Sequence, residues 1–257
     1  MSLYDHFRKE EWPFVERAIE LLTLVESKQV SRLTDFLDPR QLFIFQSVHS
    51  QVSGVQIAAD GGYDGAERVR VLLYPEYWTV ERQDFQLAML EIEADQRFIK
   101  LEHRDVMGAF LHIGLKREKF GDILLAEGTA QVVLAAEIVD FVRAQISHIH
   151  RVPVQLTERS LEDIRPTVPA LIEKQVTVAS PRIDALIGEV YHLSRAKALV
   201  PIRAGKVKVN WKVAEDPSHQ IEAGDILSVA GFGRFQVLEV SGTTRTGRQR
   251  IKVGIFA

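Results

Sequence analysis

Apolar residues recur at helical spacing near the start of the chain, where Phe14, Ala18, Leu21, Leu22 and Val25 share one stripe behind Pro13. That spacing predicts an amphipathic helix with proline in its first turn. Asp38-Pro39 offers a cap and a first residue for a second helix running to about Ser50. Val55 to Ala59 and Arg68 to Tyr74 read as strands on either side of a glycine-rich turn. The pattern restarts at Asp84, with a strand to Glu93, a helix from about Arg104 to Leu115, strands at Asp122 to Ala126 and Ala130 to Leu134, a helix to His148, and a strand at Val152 to Thr157. A βαββαβ order of this kind suits a compact α+β domain.

Past Pro166, Pro169 and Pro181, which bracket a connecting stretch, Ser194 is placed to cap a short helix and Gly205 to end it in the left-handed conformation. Pro201 lies inside that helix, where a missing donor and a crowded preceding turn predict a kink or an early end. The following Lys206-Val207-Lys208-Val209-Asn210-Trp211-Lys212 alternates with period two, which predicts one strand that buries Val207, Val209 and Trp211 and presents Lys206, Lys208, Asn210 and Lys212. Further strands are expected at Ile226 to Ala230, Phe235 to Val240 and Gln249 to Ile255, the last placing Arg248, Arg250 and Lys252 opposite Ile251, Val253 and Ile255.

Charge sharpens this picture. The chain of 257 residues carries a net −3, yet Tyr191 to Ala214 contains Arg195, Lys197, Arg203, Lys206, Lys208 and Lys212 and no acidic residue. Residues 181–257 hold 12 Lys+Arg against 7 Asp+Glu, and the rest is acidic. A basic module on an acidic body points to a polyanionic partner. Arg195 and Lys197 lie about 200° apart on a regular helix and must reach it differently. Arg203 shares a stripe with Ala196, Leu199 and Val200, so its stem packs while its guanidinium reaches solvent.

Composition narrows the chemistry. With 46% hydrophobic and 26% charged residues the chain is ordinary globular protein, and no apolar run reaches the ~20 residues of a membrane span. A cytoplasmic location is expected, with no membrane insertion. Zero cysteines exclude disulfides, thiolate catalysis and cysteine-ligated zinc. His148-Ile-His150 offers two imidazoles but no third ligand, so no metal is expected. The Asp60 to Gly65 turn lacks the spacing of a nucleotide-binding loop and reads as structural. No catalytic residue and no cofactor are expected.

The ordered segments Arg182-Ile-Asp184, Leu193-Ser194-Arg195-Ala-Lys197, Ala204-Gly205-Lys206-Val207-Lys208-Val209-Asn210, Ile221-x-x-Gly224-Asp225 and Gly231-x-Gly233-Arg234-Phe235 resemble the S4 RNA-binding domain over roughly residues 180–240. Upstream, Gly61-Gly-Tyr-Asp-Gly65-Ala-Glu67-Arg68, Tyr74-Pro75-Glu76-Tyr77, His103-Arg104-Asp105-x-x-Gly108 and Leu115-Lys-Arg117-Glu-Lys119-Phe120-Gly121-Asp122-Ile123 resemble the bacterial YlmH family, so the likeness covers essentially the whole chain. Trp211 departs from the glycine that follows the asparagine in many S4 domains; core packing and base stacking are both open to it, and the alternation favours packing.

The expected fold class is α+β: two small amino-terminal α/β segments, residues 1–82 and 83–166, then a linker or strand at 167–180 and an S4 (alpha-L) domain at 181–257. The expected RNA-binding residues are Arg182, Ser194, Arg195, Lys197, Lys206, Lys208, Asn210, Lys212 and Arg234, with a second group of Arg68, Arg117, Lys119, Arg203, Arg248 and Arg250. The resemblance implies association with the ribosome or its large subunit, contact with rRNA and tRNA, a role in handling stalled translation, and a link to cell division. It implies no enzyme activity. The competing readings are an RNA-modifying enzyme, whose pseudouridine-synthase or methyl-donor signatures are not seen, and a cell-division adaptor whose RNA binding is incidental.

Overall fold

A computed structural model describes residues 3–95, 97, 101–126, 128–166 and 171–256. It divides into two compact units, Met1–Thr167 and Val168–Ala257.

In the first unit, α1 (Trp12–Lys28) starts with Pro13 in its first turn and buries Val15, Ala18, Leu22 and Val25. After β1 (Arg32–Leu37) comes α2 (Pro39–His49), begun by a reciprocal cap: Asp38 accepts from the Gln41 amide and the Gln41 side chain accepts from the Asp38 amide. Strands β2 (Val55–Asp60) and β3 (Val69–Pro75) follow, and the three strands form an antiparallel sheet in the order β1-β3-β2. Strand β1 is not predicted from the pattern, because a bulge between Leu33 and Phe36 breaks its period of two.

The second half of this unit runs β4 (Leu87–Ala94), α3 (His103–His112), β5 (Phe120–Ala126), β6 (Thr129–Ala135), α4 (Val139–Gln145), β7 (His148–Ile149) and β8 (Val152–Arg159). Its antiparallel sheet has the order β5-β6-β4-β8-β7. Val106 and Phe110 of α3 and Val139 and Val142 of α4 share one apolar cluster with Met89, Ile92, Val132 and Leu134.

Side chains tie the two sheets of the first unit together. Buried Asp122 on β5 accepts from Tyr63 Oη at 2.8 Å and from the amides of Glu67 at 2.7 Å and Arg68 at 3.2 Å. Buried Arg70 on β3 donates to the carbonyls of Thr34, Phe85 and Gln86. Phe36 inserts into the cluster of the second sheet, above Gly121, where a Cβ would lie 2.7 Å from its ring.

The second unit begins with β9 (Leu171–Val178), so the described part of the expected connecting stretch is a strand; residues 167–170 lie outside the described residues. It continues with α5 (Ile183–Val190), α6 (Arg195–Arg203), β10 (Val207–Val209), β11 (Lys212–Val213), β12 (Ile226–Val229), β13 (Gly233–Thr243) and β14 (Gln249–Phe256). The six strands form one antiparallel sheet, ordered β11-β10-β12-β13-β14-β9. One face buries Val176, Val207, Leu227, Phe235, Val237, Ile251 and Val253 against Ile183, Leu186, Ile187, Ala198 and Ile202 of the helices. Each such Val, Leu, Ile or Phe side chain contributes about 1.5–3 kcal/mol. The alternate positions Lys208, Ser228, Arg234, Arg250 and Lys252 point to the other face.

Two expectations for this unit are corrected. Of the two outcomes expected at Pro201, the early end does not occur, since the helix runs through it to Arg203. Pro201 sits in the last turn, and its carbonyl accepts from the Lys206 amide at 2.9 Å while Gly205, at φ +64°, donates to Ile202, the paired bonds of a Schellman end. The basic stretch 206–212 is not one strand. It folds back in a two-residue turn at Asn210 (φ +48°) and Trp211 (φ +64°), with Val209 opposite Lys212 and Lys208 opposite Val213. Lys212 therefore shares a face with Val209, and Trp211 is not a core residue but a partly exposed one at the hairpin tip.

Candidate nucleic-acid interface

One buried carboxylate lies beside the start of the positive window. Arg182 precedes the first residue of α5 and Asp184 lies in its first turn, where Asp184 is 5% exposed. Arg182 Nε and Nη2 donate to Asp184 Oδ1 and Oδ2 at 3.0 and 2.6 Å, a bidentate pair, and the Ala185 amide donates to Oδ1 at 2.9 Å. The Arg195 Nε, from the first residue of α6, lies 3.8 Å from Asp184 Oδ2, while its side chain is 79% exposed. One acidic group therefore holds the Arg182 guanidinium by hydrogen bonds and has that of Arg195, from the start of the next helix, within ion-pair distance, with donors left for a ligand.

Ser194 Oγ accepts from the Lys197 amide at 3.4 Å, which caps α6 and fixes the direction in which Arg195 and Lys197 leave the helix. Gly205 joins α6 to β10, and β10 turns into β11 at the Asn210-Trp211 tip. Asn210 holds that tip: its amide nitrogen donates to Asp225 Oδ1 at 2.8 Å and its oxygen accepts from the Ile226 amide at 2.9 Å. Asp225 Oδ2 in turn accepts from the Glu222 amide. Both ends of the Asn210 amide are thus engaged in fixing the loop, and each keeps a second hydrogen-bonding position on this exposed side chain. Lys197, Arg203, Lys206, Lys208 and Lys212 are exposed. Arg234 stacks over the Phe256 ring at 4.8 Å, on the same sheet face as Lys208 and Arg250. Arg248 is drawn to the Thr177 carbonyl and to Glu189 Oε1, leaving Arg250 the more open of the pair.

Three residues of the second expected group make contacts within the first unit. Arg68 Nη2 donates to the Phe36 carbonyl at 2.9 Å, and burial lowers its pKa. Arg117 Nη1 donates to the carbonyls of Phe120 and Gly121, its guanidinium stacks 4.5 Å above the Phe120 ring, and burial brings its pKa down to about 10. Lys119 Nζ reaches Asp35 at 2.8 Å and Glu137 at 3.4 Å, and the Asp35 hydrogen bond raises its pKa. Sequence reasoning misses Asp184 as a member of the site. Its signal is in the sequence all the same, as an acid two residues after Arg182 at a helix start.

That arrangement yields a prediction whose sign separates geometry from net charge. Asp184→Asn makes the unit more positive, yet it should weaken RNA binding about five- to twentyfold, because Arg182 and Arg195 lose their common anchor. It should also cost about 1–3 kcal/mol of stability in the second unit. Titration of a labelled RNA at fixed salt, with thermal melts beside it, checks both.

Family models match three successive parts of the chain: "YlmH, N-terminal" at residues 10–78, "Putative RNA-binding domain in YlmH" at 80–163, and "S4 domain" at 182–227. The chain is 41% identical over 251 residues to "Ribosome-associated protein quality control protein P2" of Bacillus subtilis (strain 168), covering 97% of this chain and 97% of that one. Among solved structures it is similar to "Cell division protein ylmH from Streptococcus pneumoniae", at 30% identity and a TM-score of 0.55, over 62% of this chain and 98% of that one.

Proposed function

Because the chain belongs to the YlmH family of S4-domain proteins, we propose that it is a non-catalytic RNA-binding protein that associates with the ribosome or its large subunit in the quality control of stalled translation. The observation that carries this is the Asp184-centred pair of guanidinium groups at two helix starts, continued by exposed Lys197, Lys206, Lys208 and Lys212. Such groups make charge-assisted contacts to phosphates and position a folded RNA by its shape. The ligand is structured RNA, rRNA or tRNA. Arg234, Arg250 and Arg203 extend the surface, and Ser194 and Asn210 shape it. The name of the B. subtilis relative supports the ribosomal setting. No helix among the described residues is long and apolar enough to cross a membrane, which accords with a cytoplasmic site of action.

Two measurements test this reading. If about six cations meet phosphates, log affinity falls against log salt with a slope of roughly −4 to −5; an affinity nearly independent of salt rejects it. Deleting residues 180–257 should abolish co-sedimentation with large ribosomal subunits, and unchanged co-sedimentation rejects the anchoring role. The pneumococcal relative is by name a cell division protein, which favours a second reading, a cell-division partner. A variant that loses RNA binding and keeps normal division would set that reading apart from the first.

A further inference from the structure

Trp211 occupies a position that its own side chain disfavours. Both central residues of the Asn210-Trp211 turn have positive φ, +48° and +64°, in a two-residue hairpin that ordinarily takes glycine at its second position. For Asn210 the cause is visible, since short polar residues tolerate this region and its amide holds Asp225 and Ile226. Among the described residues no side-chain hydrogen bond holds Trp211 in this way. Left-handed backbone is costly for a bulky residue. The ring is partly exposed and lies outside the apolar cluster that takes in Val207 and Val209. Backbone strain of this kind collects where a function requires the residue.

Its neighbours indicate the function. The hairpin closes with Val209 opposite Lys212, then Lys208 opposite Val213, and Lys206, Lys208 and Lys212 are all exposed. A partly exposed aromatic ring at a hairpin tip flanked by exposed cations is an arrangement by which proteins stack on an unpaired base. We propose that Trp211 is a stacking residue for an unpaired base of the bound RNA, so that the second unit selects a loop, bulge or strand end over continuous duplex. The inference rests on the RNA-binding reading above and adds to it the class of RNA. The lysines supply affinity for any RNA backbone. Trp211 supplies the preference, because a base inside a duplex has both faces already stacked.

The test compares the full chain with Trp211→Gly and Trp211→Phe on two synthetic probes at one salt concentration: a stem with a six-adenine loop, and the same stem as a blunt duplex. Glycine suits the turn, so Trp211→Gly should melt at or above the wild-type temperature. It should bind the stem-loop roughly five- to hundredfold more weakly, bind the duplex within about twofold of wild type, and keep the salt slope. Trp211→Phe should retain most of the stem-loop affinity. Equal losses on both probes, or a lower melting temperature for Trp211→Gly, overturn the stacking role and restore a packing one. Full stem-loop affinity in Trp211→Gly overturns it while leaving RNA binding intact. A wild-type protein that binds neither probe overturns the RNA-binding reading, and this inference with it.

Discussion

Charge reversal at Arg195, Lys197 and Lys208 together lowers RNA affinity by about two to four orders of magnitude and flattens the salt dependence by about three phosphate contacts. Each replacement removes a counterion-releasing contact and sets a carboxylate against the phosphates, so the loss exceeds that of truncation. The fold should survive. Arg195 is 79% exposed at its side chain, and Lys197 and Lys208 lie on the surface, where substitutions cost about 0.5 kcal/mol or less. Arg182 keeps its bidentate bond to Asp184, so the α5 start remains fixed. Filter binding across a salt series, with circular dichroism on the same samples, measures both quantities. Unchanged affinity in a folded triple variant would sink the proposed interface.

Asp122→Ala should lower the melting temperature of the first unit by about 10 °C, corresponding to about 3–4 kcal/mol. The substitution removes the acceptor of Tyr63 Oη and of the Glu67 and Arg68 amides at once, and leaves buried donors without partners. Because these bonds join the turn at residues 61–68 to β5, both sheets of the unit should lose stability in one transition. Two separate transitions, or none shifted, would contradict that coupling. Burial, the largest influence, raises the Asp122 pKa, against the hydrogen bond from Tyr63 that lowers it. A raised folded-state value means that its contribution is complete below the unfolded pKa, about 4, and is lost as pH rises through the folded one. Wild type should therefore hold its greatest advantage over Asp122→Asn in acid, and that advantage should shrink on going from about pH 4 to neutrality.

How much of this is legible in the sequence depends on where each cause lies along the chain. The start of α2, the Ser194 cap and the Gly205 end are local chemistry, and each occurs where the pattern puts it. The basic hairpin reads as a single strand for a definite reason. The alternation of residue types runs on unbroken through Asn210-Trp211, which carries no glycine to announce a turn, although the turn reverses the parity and puts Lys212 on the face of Val209. Pro201 looks like a helix breaker because its missing donor is a local fact, whereas its carbonyl finds Lys206 only once Gly205 has turned the chain. Arg68, Arg117 and Lys119 look like free cations because their partners are remote carboxylates and backbone carbonyls. A carbonyl leaves no trace in the residue type that bears it. Asp184 belongs to a recognisable motif, yet its place in the site is hidden, since its reach to Arg195 depends on α5 and α6 lying side by side.

Whether the second unit anchors RNA is decided most directly by crosslinking the full chain to large ribosomal subunits and mapping the joined peptides and nucleotides. The expected result is discrete RNA sites joined to peptides within residues 182–212, with Trp211 and Lys208 among them. Crosslinks confined to residues 1–167, or scattered over the RNA with no preferred position, would contradict it.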